Sequence, residues 1–216
     1  MAKTALTIIS VLVLSGLFAE GCKKKNSAQK PQSPQNSNQQ TNGGDAARKA
    51  PDFTLQNYDG KTISLADCKG KIVVLEWFNY ECPFSRYHHE EADTMVKLAD
   101  KYKDKNTVWL AINSTKHQTA ENNKTYAVNH GITYPVLDDR ASTVGHAYGA
   151  RTTPHMFIVD SKGEIIYDGA IDNSPMGKVE ENYVNYVDEA LAALIAGKDV
   201  TIKSTKPYGC SVKYTD

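Results

Sequence analysis

Apolar positions fall along this chain at two alternating periods. Ile72-Val73-Val74-Leu75 and Val108 to Ile112 are unbroken runs rich in β-branched residues, the pattern of strands buried on both faces. Pro51-Asp52-Phe53-Thr54-Leu55 and Lys61-Thr62-Ile63-Ser64-Leu65 predict two short strands, joined by a turn at Tyr58-Asp59-Gly60. Helical spacing follows each buried run. A helix is expected from about Pro83 to Lys103, with Tyr87, Ala92, Met95, Val96 and Leu98-Ala99 as a rough apolar face. Residues 119 to 130 predict another, stopped by Gly131, and Ser142 to Tyr148 a short one ending at Gly149. Between them Tyr134-Pro135-Val136-Leu137 is a short strand. Met156 to Val159 and Glu164 to Tyr167 predict a hairpin about Ser161-Lys162-Gly163. A last helix is expected from about Gly177 to Ala196, facing the core with Val179, Tyr183, Val187, Leu191 and Leu194, and capped by Gly197. Alternating strands and helices imply a parallel sheet covered by helices, and the late hairpin adds antiparallel strands.

The ends of the chain read differently. Lys3 followed by mostly apolar Ala5 to Ala19 predicts an export signal over residues 1–21. Leu17-Phe18-Ala19-Glu20-Gly21-Cys22 resembles a bacterial lipoprotein signal, with Cys22 as the lipidated residue, although Ala19 and Glu20 depart from the usual pattern. A plain secretory signal and an uncleaved anchor are the alternatives, and all three place the domain outside the cytoplasm, where disulfides persist. Residues 22–48, rich in Gln, Asn, Ser, Pro and Gly, predict a disordered tether with an r.m.s. span of about 27 Å. The domain is expected over 49–200 and a separate tail over 201–216. Twenty-five basic residues balance 25 acidic ones, and nothing in that balance points to nucleic acid.

Candidate chemistry centres on Cys82. It lies between a buried strand and a helix opened by Pro83, where unpaired N–H groups stabilise a thiolate. Six residues earlier, Glu76 stands inside the apolar strand. A buried carboxyl group takes up a proton or finds a partner, and a Glu paired to a Lys or Arg for structure alone is the plainer alternative. Arg86 is placed either to lower the Cys82 pKa or simply to face solvent.

The order of elements and three features resemble the thioredoxin fold, in the redoxin branch that holds TlpA-like and AhpC/TSA-like oxidoreductases and peroxiredoxins. The features are the strand–Cys82–Pro83–helix junction, Ala150-Arg151-Thr152-Thr153-Pro154-His155 ahead of a strand, and the N-terminal hairpin. The resemblance covers about residues 50 to 200. It implies an α/β fold with a central mixed sheet flanked by helices. It also implies a cis-proline at Pro154 that faces the reactive cysteine, with Thr153 pairing with a partner backbone. Glu76 would then be a proton shuttle with a raised pKa. Tyr167 to Asp172 and Tyr208-Gly209-Cys210-Ser211-Val212-Lys213-Tyr214 look like a bacterial subgroup of this superfamily.

Departures from the family pattern bear on mechanism. Ser85 stands where thioredoxins have their second cysteine, and Asn79 stands where peroxiredoxins have a catalytic Thr. A resolving thiol must come from Cys68 or Cys210. Cys68 is separated from Cys82 by a strand of roughly 23 Å. The thirteen residues after Gly197 can extend about 43 Å, enough to bring Cys210 to Cys82. Cys82–Cys210, Cys68–Cys210 and no intramolecular bridge all stay open. His88, His89 and His155 suit either exposed or core positions or, less simply, copper delivery. The expected activity is thiol-disulfide exchange at Cys82, with Cys210 resolving and Thr153, Pro154, Pro83 and Arg86 lining the partner site. A thiol peroxidase and a redox-inactive binding or copper-delivery module are the alternatives. The expected partners are a protein dithiol or disulfide, or a peroxide, together with a membrane through the lipid anchor. No cofactor or metal is implied.

Overall fold

The computed structural model describes residues 48–179 and 181–215. The expected signal, lipidation site Cys22 and nearly all of the tether lie outside the described residues. The described residues form ten strands: β1 (Arg48–Lys49), β2 (Thr54–Asn57), β3 (Thr62–Ser64), β4 (Ile72–Trp77), β5 (Thr107–Asn113), β6 (Val136–Asp138), β7 (Thr152–Thr153), β8 (His155–Val159), β9 (Glu164–Gly169) and β10 (Cys210–Ser211). Five α-helices alternate with them: α1 (Pro83–Arg86), α2 (Thr94–Tyr102), α3 (Ala120–Asn129), α4 (Thr143–Tyr148) and α5 (Tyr186–Ile195). Eight strands form one sheet in the order β1-β9-β8-β4-β5-β6-β2-β3, and β10 pairs with β7 apart from it. The β4–β5 and β5–β6 pairs are parallel, while β8 and β9 join antiparallel. This is the mixed, thioredoxin-like α/β fold.

Period-two alternation divides the core. Val74 and Phe78 of the β4 segment, Trp109 and Ala111 of β5, and Met156 and Ile158 of β8 pack with α2, α3 and α5. Val73, Leu75, Trp77, Leu110, Ile112, Phe157 and Val159 face the other way, onto Phe53, Leu65 and α4. Each large side chain buried this way contributes about 1.5–3 kcal/mol. Glu76 is on the first face, among the apolar set.

Two helices depart from their expected extents. The segment expected as one helix from 83 to 103 is interrupted. A π turn at Tyr87–Glu91, closed by the Ala92 N–H on the Tyr87 carbonyl at 2.9 Å, inserts a residue, and Asp93 adopts φ +53° before α2 starts. The wider turn buries both adjacent histidines, His88 and His89, which a regular helix spacing does not foretell. The last helix begins at Tyr186, not near 177. Asn173 accepts from the Val184 N–H, Ser174 bonds both polar groups of Val179, and Met176 and Asn182 have positive φ. These local side-chain bonds compete with helix, and Asn185 then caps α5 by accepting from the Asp188 N–H. Val179 and Tyr183 therefore leave the helix face, and Tyr183 is exposed.

The tail after Gly197 is held along the domain. The Asp168 N–H donates to the Lys203 carbonyl, the Asp168 carbonyl accepts from the Thr205 N–H, and the Thr205 hydroxyl accepts from the Ala170 N–H. It then turns at Pro207 and pairs as β10 with β7, Cys210 opposite Thr153 and Ser211 opposite Thr152.

Candidate active site

Three elements converge on Cys82. The strand β4 ends at Trp77, and the Cys82 N–H closes a turn on the Asn79 carbonyl at 3.0 Å. Cys82 is the N-cap of α1 with Pro83 at the first helical position, so it stands at the helix N-terminus. The Thr153–Pro154 peptide is cis, and the Cys82 thiol donates to the Thr153 carbonyl at 2.9 Å. The third element is the tail, whose β10 pairing puts the Cys210 sulfur within hydrogen-bonding reach of Cys82. Both cysteines are reduced here.

The surroundings decide which sulfur ionises first. Burial opposes the Cys82 thiolate, since the residue is only 1% exposed. Hydrogen bonds from Cys210 and Thr153 and the backbone N–H groups of Ser85 and Cys210 outweigh that cost and lower its pKa below 9.0. The Thr153 hydroxyl is buried without a partner, which leaves it free to donate to the sulfur once that ionises. Cys210 moves the opposite way, pushed up to about 11 by burial and by the adjacent Cys82. The two thiols thus titrate as a pair in which Cys82 loses its proton first.

The tail is fixed on both sides of Cys210. Tyr208 donates to Asp172 at 2.6 Å, so the His88 Nε2–H, 2.8 Å away, donates to the Tyr208 oxygen. The Thr94 hydroxyl, 3.2 Å from His88 Nδ1, then donates to it, and burial holds the His88 pKa down. Asp172 also accepts from Tyr183 and the Ser174 N–H. Beyond Cys210, Tyr214 donates to the Ala150 carbonyl at 2.6 Å and the Thr215 N–H to the Ser142 hydroxyl at 2.8 Å. A Cβ on Gly145 would collide with the Tyr214 ring, so glycine there admits the tail.

The other expected site residues are spread more widely. Glu76 is fully buried, and its carboxyl oxygens bond His89 Nε2 (2.6 Å), Trp109 Nε1 (3.0 Å) and the Tyr134 hydroxyl (3.1 Å). These bonds are all to groups other than the two cysteines, so the direct proton path from Glu76 to Cys82 is not formed. Nor is its partner the Lys or Arg of the structural alternative; it is a histidine from the π turn. Arg86 makes a two-pronged pair with Glu90 at 2.9 and 2.8 Å, and so serves its own helix. Asn79 uses its carboxamide oxygen to accept from the Glu81 N–H and from Gln118. Cys68 is buried before β4 in the cluster of Phe53 and Val73, at the far end of that strand from Cys82. His155 bonds Asp168 at 2.7 Å and accepts from the Arg151 N–H. Burial works against the Asp168 charge, but His155 and Arg48 prevail and lower its pKa. Sequence places His88 only as a core or copper-delivery candidate, and Asp172 and Tyr214 only within the two subgroup segments; neither placement signals their hold on the tail.

The AhpC/TSA family model matches residues 46–168. The thioredoxin-like protein YneN of Bacillus subtilis is 34% identical over 119 residues, which span 55% of this chain and 67% of that protein. The thiol-disulfide oxidoreductase ResA of Bacillus thuringiensis is 29% identical over 119 residues, spanning 55% of this chain and 66% of its own length, just under two thirds. Among solved structures, an uncharacterised conserved protein from Geobacillus kaustophilus superposes with a TM-score of 0.71 at 31% identity, covering 78% of this chain and 92% of that one. The thioredoxin domain of a thiol-disulfide oxidoreductase from Bacteroides vulgatus shares the fold, with a TM-score of 0.50 at 24% identity over 56% of this chain and 86% of that one.

Proposed function

The chain belongs to the AhpC/TSA family, and from that footing we propose that it is a thiol-disulfide oxidoreductase in which Cys82 is the nucleophile and Cys210 the resolving thiol. The observation that carries this reading is the pairing of β10 with β7, which sets the two sulfurs side by side. The Cys82 thiolate attacks a partner disulfide, a mixed disulfide forms, and the first partner thiolate leaves. The Cys210 thiolate then attacks the Cys82 sulfur, closing Cys82–Cys210 and releasing the second partner thiolate. The partner is reduced and the pair oxidised; a partner dithiol drives the same steps backward. Thr153 aligns the incoming chain, and Ser85, with no sulfur, takes no covalent part. Glu76, through His89, is a positioning residue for the turn after α1. The expected export signal and lipidated Cys22 support an extracytoplasmic, membrane-anchored setting for this exchange.

A peroxidase reading has less behind it, because Arg86 is committed to Glu90 and Asn79 to Glu81 and Gln118. The deciding experiment is disulfide mapping of the full chain by peptide mass spectrometry, with thiols blocked at lysis, alongside insulin reduction and peroxide consumption. A Cys82–Cys210 peptide with insulin reduction is expected. A Cys68–Cys210 bridge with Cys82 free would overturn the pairing, and peroxide consumption without insulin reduction would overturn the activity.

A further inference from the structure

The edge of β7 is where a partner strand would meet Cys82, and the chain has filled it with its own tail. Cys210 lies opposite Thr153 in antiparallel register, and the Val212 N–H reaches the Arg151 carbonyl at 3.1 Å, so the pairing covers β7 and runs one residue past its N-terminal end. Behind this strand Cys82 is almost fully covered. Gly209 sits at φ +127°, and a Cβ there would collide with the Thr153 carbonyl oxygen and crowd the Thr153–Pro154 peptide. Only glycine permits this approach. One residue earlier, Tyr208 is received by His88, Asp172 and the Phe84 ring, whose centroid is 6.0 Å away.

We propose that the β7 edge is a docking surface for extended cysteine-bearing segments with glycine immediately before the cysteine, and that residues 208–212 are its resident occupant, which a protein partner must displace. The proposal rests on the reading of Cys82 as the nucleophile and adds what that nucleophile selects. The edge is a template of the segment already on it. An incoming strand in the same register places its cysteine at Cys82 and its preceding residue against the Thr153 carbonyl. Any side chain at that preceding position meets the contact that Gly209 avoids. A tyrosine before the glycine gains the His88 and Asp172 bonds that Tyr208 now uses. The partner class is therefore a protein or peptide disulfide in a mobile strand with Gly-Cys, and bulky residues before the cysteine are disfavoured.

The test uses the full chain in reduced form and two peptides with the sequence of residues 205–214, one native and one with alanine for glycine, each activated as a mixed disulfide with a small aromatic thiol. Capture by Cys82 is followed by release of that thiol and confirmed by peptide mapping. The receiving proteins are wild type, Gly209→Val, in which the tail is pushed off the edge, and Tyr208→Phe, which removes the tail's hydroxyl bonds without altering its shape. Loss of one or two hydrogen bonds predicts about 5- to 30-fold faster capture of the glycine peptide by Tyr208→Phe than by wild type. In either variant the glycine peptide should be captured at least about tenfold faster than the alanine peptide, a ratio independent of how much Cys82 is ionised. Equal capture of the two peptides, or wild-type capture as fast as in both variants, overturns the proposal. Cys82 that captures neither peptide nor the small aromatic disulfide in any protein overturns the nucleophile reading itself. If Gly209→Val does not fold, Tyr208→Phe carries both comparisons.

Discussion

Replacing Glu76 with Gln separates a structural carboxyl group from a proton relay. The carboxyl group is fully buried and accepts from three groups, with His89 on one oxygen and Trp109 and Tyr134 on the other. A Gln oxygen can keep Trp109 and Tyr134, and its amide nitrogen must then face His89 Nε2. The histidine has to present a lone pair there and carry its proton on Nδ1, which is buried without a partner. A buried unsatisfied donor costs about 1–3 kcal/mol. The flipped amide is no better, since it sets an N–H against the Trp109 N–H. We expect Glu76→Gln to destabilise the reduced protein by about 2 kcal/mol. With a urea slope of about 2 kcal/mol/M the midpoint falls by about 1 M. Fluorescence of the buried Trp77 and Trp109 reports it, and the Trp109 bond to residue 76 makes the signal local. Thiol exchange per folded molecule, and its pH profile, should stay within about threefold of wild type. An unchanged midpoint with exchange slowed more than about tenfold would refute the structural role and restore the relay.

The cysteines give four further expectations. Cys210→Ala should raise the Cys82 pKa, because the Cys210 hydrogen bond is the largest contribution favouring its thiolate; ultraviolet thiolate absorbance against pH measures the shift, and an unchanged midpoint counts against the contact. In wild type the same titration should show one thiolate forming below 9.0 and a second near about 11. Cys68→Ala should cost about 1–2 kcal/mol as a buried side chain made smaller and leave exchange unchanged; altered exchange kinetics would show that Cys68 takes part. Closing Cys82–Cys210 should raise the free energy of unfolding by about 5 kcal/mol over the reduced form, measured by urea unfolding with and without reductant; a gain under about 1 kcal/mol would mean that the sulfurs bond only with distortion of the native tail.

Much of the sheet was open to reading from the apolar runs, because β4, β5 and β8 are buried on both faces, and helices follow β4 and β5 along the chain. Helix ends were less open where polar side chains act locally. Asn173, Ser174 and Asn185 hold residues 173–185 out of helix by bonds to backbone a few residues away, and an apolar period does not register such bonds. The π turn was hidden for a related reason: two adjacent histidines can both be buried only if the helix widens, and each finds its partner far along the chain, Tyr208 for His88 and Glu76 for His89. Reach alone left Cys210 with Cys82, with Cys68 or with no bridge. What brings it beside β7 is a set of contacts made by small groups, the glycines at 145 and 209 and the carbonyls of Ala150 and Thr153, whose value lies in where the fold brings them.

Moving the second cysteine from the helix to the tail changes what oxidation does to the fold. A Cys-x-x-Cys bridge closes four residues and removes only about 2 kcal/mol of chain entropy from the unfolded state. From Cys82 to Cys210 the loop holds about 130 residues, and the same relation gives about 5 kcal/mol. By the thermodynamic cycle, the native chain must favour the disulfide over the unfolded chain by that amount, equivalent to about 100 mV for a two-electron couple. The source of that preference is the docking of the tail, because nothing else holds residue 210 near residue 82. Tyr208 with His88 and Asp172 on one side, and Tyr214 with Ala150 on the other, therefore act on the redox pair without touching a sulfur. Each about 1.4 kcal/mol removed from their grip shifts the couple by about 30 mV toward easier reduction. The latch that keeps partners off the β7 edge is thus also the element that sets how readily the disulfide forms, and the two properties must change together.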